Sequence, residues 1–196
     1  MRYFKFAYIL LIFASCKGQG NLKEYKFSQV GWTLKIPADS KFLDSAQFDT
    51  ISQKAINAIN KTYNTQVDFS GLKSLFIIRQ GQYNVMGSTI NLYDSALFKT
   101  WQESYSATKK MLMKIIEDQA PGVTVIDTES SFEIIDGLRF EKVFLKTFYP
   151  EQNLTMNIYW FYRKQNEYDF SINISYTEEK IGKQYLGIIK NSKFNK

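Results

Sequence analysis

Tyr168-Asp169-Phe170-Ser171-Ile172-Asn173-Ile174-Ser175-Tyr176 alternates apolar and polar side chains without a break. Successive side chains of a β-strand point to opposite faces, so this stretch predicts a strand with one apolar and one polar face. Leu154, Met156, Ile158, Trp160 and Tyr162 keep the same two-residue phase just upstream, and predict its neighbour. Residues 123–135 and 138–149 alternate as well and meet at Asp136-Gly137. That pair suits a two-residue hairpin, whose central residues both need positive φ. Consecutive strands with short connections form an antiparallel meander, and its apolar face needs a cover.

The helices that supply the cover are legible on either side. Thr177-Glu178-Glu179 reads as a cap followed by acidic residues in a helix's first turn, where the helix dipole favours them. Ile181, Tyr185, Ile188 and Ile189 then recur at helical spacing. Upstream, Asp94 is placed to cap a helix over 95–118 whose stripe is Leu97, Trp101, Tyr105, Thr108, Leu112 and Ile115, stopped by Pro121-Gly122. Residues 75–79 and 86–93 read as strands, the second with Met86, Ile90 and Leu92 inward. Asp44 and Gln47 match a capping box ahead of a helix over 45–62 carrying Phe48, Ile51, Ala55 and Ile59. Residues 25–27 and 32–36 flank Val30-Gly31 as an opening hairpin that ends at Pro37. With no repeat or linker, the order predicts one α+β domain over 23–196, an antiparallel β-sheet packed with helices.

The N-terminus carries a different signal. Met1-Arg2-Tyr3-Phe4-Lys5 is basic, residues 6–13 are apolar, and Ala14-Ser15 precedes Cys16, the only cysteine. The apolar run is too short to span a bilayer, which takes about 20 residues. The segment resembles a bacterial lipoprotein signal peptide over residues 1–15, with small residues before the cleavage point. The resemblance implies that Cys16 is lipidated and that residues 16–22 form a short leash to the bilayer. The address expected is the bacterial cell envelope, at the outer membrane facing the periplasm.

Composition narrows the chemistry. The chain has no histidine, which excludes Ser-His catalysis and His-ligated zinc or copper. With Cys16 committed to lipid, thiol nucleophiles and disulfides go too. Taking Arg2 and Lys5 away with the leader leaves 23 basic against 19 acidic residues, a net charge of +4. The lysines are dispersed. Their densest group, Lys109, Lys110 and Lys114, reads as a solvated helix face, and nucleic acid is not an expected partner outside the cytoplasm. Residues 81–87 lack the spacing and the lysine of a phosphate loop, and no cofactor is expected.

Val30-Gly31-Trp32-Thr33-Leu34-Lys35-Ile36-Pro37, the long central helix, the antiparallel strands and the closing Asn191-Ser192-Lys193-Phe194 together resemble the Mog1/PsbP-like group. The resemblance spans nearly the whole mature chain and implies an α/β/α sandwich. It also implies a role as a binding or assembly accessory to larger complexes, without a shared catalytic constellation. No functional residue of the group transfers to this sequence.

Two sets of side chains are candidates for function. Tyr159 and Phe161 lie out of phase with Trp160 and Tyr162, so they face the side of the sheet away from that core row. There they would form an exposed aromatic patch if nothing covers them. Asp127, Glu129 and Glu133 occupy one face of a strand if no bulge intervenes. A carboxylate pair can perform glycosidic acid–base chemistry, whereas charges on a solvated strand edge deter aggregation. The leading expectation is a non-enzymatic envelope module that binds a protein partner. The alternative is a carboxylate-dependent hydrolase acting on envelope glycans.

Overall fold

The computed structural model describes residues 21–63, 71–119 and 122–195. Cys16, with the leader and most of the leash, lies outside the described residues. Strands β1 (Leu22–Phe27) and β2 (Trp32–Pro37) form the opening hairpin, joined by a short 3-10 turn and Gly31 at φ 61°. Then come β3 (Lys41–Phe42), α1 (Ser45–Tyr63), β4 (Lys73–Gln80), β5 (Asn84–Leu92), α2 (Trp101–Gln119), β6 (Thr124–Ile135) and β7 (Leu138–Tyr149). The chain closes with β8 (Leu154–Gln165), β9 (Tyr168–Tyr176), α3 (Glu179–Lys190) and β10 (Lys193–Phe194). Seven strands make one antiparallel sheet in the order β3-β4-β5-β9-β8-β7-β6, while β1, β2 and β10 make a separate three-stranded sheet.

Both faces of the large sheet are covered, which is why its strands do not all read as half-buried. On one face, Phe140, Phe161, Phe170, Ile172 and Ile174 pack beneath α3 and the small sheet. On the other, Val143, Leu145, Trp160 and Tyr162 pack against Trp101, Tyr105, Leu112, Met113 and Ile116 of α2. Strands β7 and β8 are therefore apolar on both sides, and the single greasy face expected of the meander is found only in part. The opening hairpin belongs to the outer layer rather than to the main sheet.

Trp32 holds the layers together. It is 1% exposed, its ring meets those of Phe27, Phe76, Phe170 and Phe194, and its indole N–H donates to Ser192 Oγ at 2.8 Å. Aromatic contacts of this kind add about 0.5–1.5 kcal/mol each beyond burial. Residues from the first hairpin, the sheet and the last strand thus share one cluster.

Several boundaries follow from caps. The Asp44–Gln47 capping box forms reciprocally, with Gln47 N–H to Asp44 Oδ1 at 2.8 Å and Asp44 N–H to Gln47 Oε1 at 3.1 Å. Asp94 caps only a turn, through Ala96 and Leu97 N–H; the helix itself starts at Trp101, where Thr100 Oγ1 accepts from Glu103 N–H. Leu97, expected in the buried stripe, is 69% exposed, and Leu92 at the end of β5 is 59% exposed. Helix α3 starts one residue later than expected, with Glu178 rather than Thr177 as its N-cap and no capping side chain of its own. Asn84 Oδ1 instead accepts from Thr177 and Glu178 N–H, and Asn84 Nδ2 donates to Glu178 Oε1 at 2.9 Å. Leu22, expected in the leash, already pairs with Pro37 in β1.

Asp136-Gly137 turns as expected, with φ 49° and 81°. Asp136 also reaches the tail, accepting from Phe194 N–H at 2.8 Å and pairing with Lys193 Nζ at 3.0 Å. That contact fixes β10 beside the β6–β7 turn.

Candidate interaction surface

By strand phase Tyr159 and Phe161 lie on the same side of the large sheet as Glu129 and Glu133, the side that carries α3 and the small sheet. Register decides this: Phe144 pairs with Tyr159 and Glu129, Phe140 pairs with Glu133, and Tyr159 pairs with Ile174. Tyr159 is half-buried at the centre of an aromatic row. Its ring centroid is 4.8 Å from that of Phe144, 6.1 Å from Phe161 and 6.3 Å from Tyr176. Phe161 is 1% exposed, so it supports the row from inside the core and offers no surface itself. Sequence reasoning passed over Phe144; its alternation with Val143 and Leu145 is the signal that places it opposite their buried face.

Charge surrounds the aromatics. The Tyr159 hydroxyl is hydrogen-bonded to that of Tyr176. Burial raises the Tyr159 pKa above the ordinary phenol value, the Tyr176 hydrogen bond opposes this, and Glu179, Glu129 and Glu133 add to the rise. Burial likewise raises Tyr176. Both rings are therefore neutral donors and acceptors across the physiological range. Lys142 and Lys190 reach Glu133 at 3.8 and 3.4 Å, so this carboxylate ties the last turn of α3 to the sheet. Glu129 is exposed. The register runs uninterrupted from Asp127, opposite Lys146, to Ile135, because the bulge falls earlier, between Val125 and Asp127.

Glu129 and Glu133 do not form a close carboxylate pair: they are four residues apart along one strand, about 13 Å at the usual rise, and Glu133 is already held by two lysines. Among the described residues, no group of three or more His, Cys, Asp or Glu side chains is placed to hold a metal ion.

A second polar cluster lies on the α2 side, and no spacing in the sequence pointed to it. The Tyr162 hydroxyl donates to the Asp169 carboxylate. Ser104 Oγ is 2.7 Å from the Tyr162 oxygen and donates to Asp169 Oδ2 at 3.3 Å. Burial raises the Asp169 pKa above the usual carboxylate range, with the hydroxyls of Tyr162 and Ser104 and the charge of Lys164 opposing the rise. Burial also raises Tyr162. Ser104 and Tyr162 are fully buried, so the cluster bolts the first turn of α2 onto β8 and β9.

A seven-stranded antiparallel sheet with two helices on one face, and a helix plus a small sheet on the other, defines a Mog1/PsbP-like α+β fold. The fold is similar to that of cyanobacterial PsbP from Synechocystis: the superposition covers 93% of this chain and 99% of that one, at a TM-score of 0.56 and 14% identity. The Ran-binding protein Mog1p of Saccharomyces cerevisiae is a more distant likeness, with a TM-score of 0.43 and 11% identity over 89% of this chain and 96% of that one. At these identities the likeness concerns the fold alone. No family model matches the sequence, and no curated protein matches it.

Proposed function

We propose that the chain is a lipid-anchored protein of the bacterial envelope that works without catalysis, by docking a protein partner on the surface around Tyr159. The observation that carries this reading is the Phe144–Tyr159 pair, with centroids 4.8 Å apart and both rings partly open to solvent, bordered by Glu129 and Lys142. Rigid aromatic side chains inside a charged rim match the make-up of protein-binding surfaces. The anchor is Cys16 behind its apolar leader. Among the described residues no helix is long and apolar enough to cross a membrane. A tether at Cys16 would hold the module at the bilayer, with the outer membrane's periplasmic face as the proposed address.

A photo-crosslinking residue at position 159 in intact cells tests the surface. A discrete protein adduct is expected, and Phe144→Ala should abolish it while leaving the protein folded. Absence of any adduct at positions 159 and 144 would overturn the docking surface. Loss of the cellular phenotype on replacing Asp127 and Glu129 by their amides would favour the hydrolase instead. For the anchor, partition of the protein into a detergent phase and the mass of its N-terminal residue are the readouts. An unmodified Cys16, or an aqueous protein, would refute it.

A further inference from the structure

Strand β6 is an edge of the large sheet: twelve residues long, and paired among the described residues with β7 alone. Its hairpin to β7 has a two-residue turn, with Ile135 opposite Leu138 as the closing pair. In such a hairpin the closing pair is hydrogen-bonded and the pairs alternate from there. Ile135, Glu133, Ser131 and Glu129 therefore direct their N–H and C=O groups to β7. Ile134, Phe132, Ser130 and Thr128 direct theirs outward. Proteins usually blunt such an edge with lysine, proline or a bulge. Here the bulge lies between Val125 and Asp127, and residues 128–134 contain no lysine or proline.

The side chains on the outward-bonding positions are unusual for an open edge. Phe132 is 52% and Ile134 53% exposed, with the Arg139 guanidinium over the Phe132 ring at 4.4 Å, while Ser130 on the same face accepts from Lys109 Nζ at 2.6 Å. The intervening positions carry Glu129 and Glu133 on the opposite face. Glu129 has no ion-pair partner among the described residues.

We propose that residues 128–134 of β6 receive an extended segment of a partner protein, alternating apolar and basic residues, as an eighth strand of the sheet. Side chains of a strand added here alternate between the two faces. Those beside Phe132 and Ile134 meet apolar surface; on the other face a side chain next to Glu129 meets a carboxylate with no ion-pair partner among the described residues, whereas Glu133 is already held by Lys142 and Lys190. Charge complementarity thus sets the partner's pattern. A second copy of this chain is a poorer occupant, because antiparallel self-pairing puts Glu129 of both copies on one face and brings neither a cation. The proposal rests on the reading of the chain as a binding module and specifies one site of contact.

The probe is a fluorescent ten-residue peptide of alternating valine and lysine, titrated by anisotropy against the full-length protein in detergent. A valine–glutamate peptide and a valine–lysine peptide with alternate amides N-methylated serve as controls. The valine–lysine peptide should bind at least about tenfold more tightly than either control, as expected when both the backbone ladder and the charges contribute. Ser130→Pro removes an outward N–H, a change edge strands tolerate, and should abolish binding while the circular dichroism spectrum is kept. Glu129→Lys should weaken binding by about tenfold. Equal binding of the acidic or N-methylated peptide, unchanged binding by Ser130→Pro, or a dimer that Ser130→Pro dissolves would each overturn the proposal. A partner whose crosslink at Tyr159 survives Ser130→Pro would also overturn it, while leaving the docking reading intact. Loss of the Tyr159 crosslink in otherwise wild-type protein would instead sink that reading.

Discussion

Helix α3 contains two glycines, and the fold makes opposite demands on them. In a helix interior alanine is more favourable than glycine by about 0.8–1.0 kcal/mol. At Gly187 an added Cβ meets nothing within 4 Å, so Gly187→Ala should stabilise the domain by close to that amount. At Gly182 the same atom would lie 2.5 Å from Cε2 and Cζ of Tyr176 and 2.6 Å from its Cδ2. Carbon atoms cannot approach so closely, and the ring must move or α3 must lift. Overpacking of this kind costs about 1–3 kcal/mol, which offsets the propensity gain and leaves Gly182→Ala neutral to about 2 kcal/mol destabilising. The two variants should therefore differ by about 1–3 kcal/mol, or roughly 2–12 °C in Tm for a domain of this size. Urea unfolding followed by circular dichroism measures both, with each variant serving as the other's control for helix propensity. Because Tyr176 is hydrogen-bonded to Tyr159, Gly182→Ala should also shift the Tyr159 ring resonances, whereas Gly187→Ala should not. Equal stabilisation by both substitutions would refute the close packing of α3 on Tyr176.

Ser192→Ala removes one oxygen and leaves the buried Trp32 indole N–H without its acceptor. It should cost about 1–3 kcal/mol in the same assay, far more than its loss of surface implies. Asp169→Asn tests the cluster beneath α2 through pH. Burial places the folded pKa of Asp169 above the unfolded value of about 3.9, so the folded state holds the proton more tightly. Wild-type stability from this group is greatest below the unfolded pKa and declines as pH rises through the folded one. The asparagine variant lacks that decline, so its stability relative to wild type should increase with pH across that window and then level off. A pH-independent difference would show that the Asp169 carboxyl is not desolvated.

Much of the secondary structure was legible because periodicity is local. The alternation of residues 168–176 and the Asp136-Gly137 pair each needed only the side-chain period of a strand or the φ demand of a turn. The misreadings arose where distant residues decide. Leu97 fits a helical stripe, but Thr100 and Glu103 cap the helix after it, leaving Leu97 outside. Thr177 has the chemistry of an N-cap, yet Asn84, 93 residues away in sequence, supplies the acceptor. The two-residue strands β3 and β10 have no period of their own and exist through their partners β4 and β2.

The candidate surface divides the same way. The out-of-phase position of Tyr159 and Phe161 could be read directly, since it follows from alternation. Which of the two reaches solvent could not, because that depends on where α3 and the small sheet stop: Phe161 lies beneath them and Tyr159 at their margin. The lone Cys16 behind its apolar leader is a property of sequence alone, as is the exclusion of histidine chemistry. The open edge of β6, and the meeting of Glu129 with the aromatic row, come from strand order and register. Those are set by which apolar faces bury one another across the whole chain.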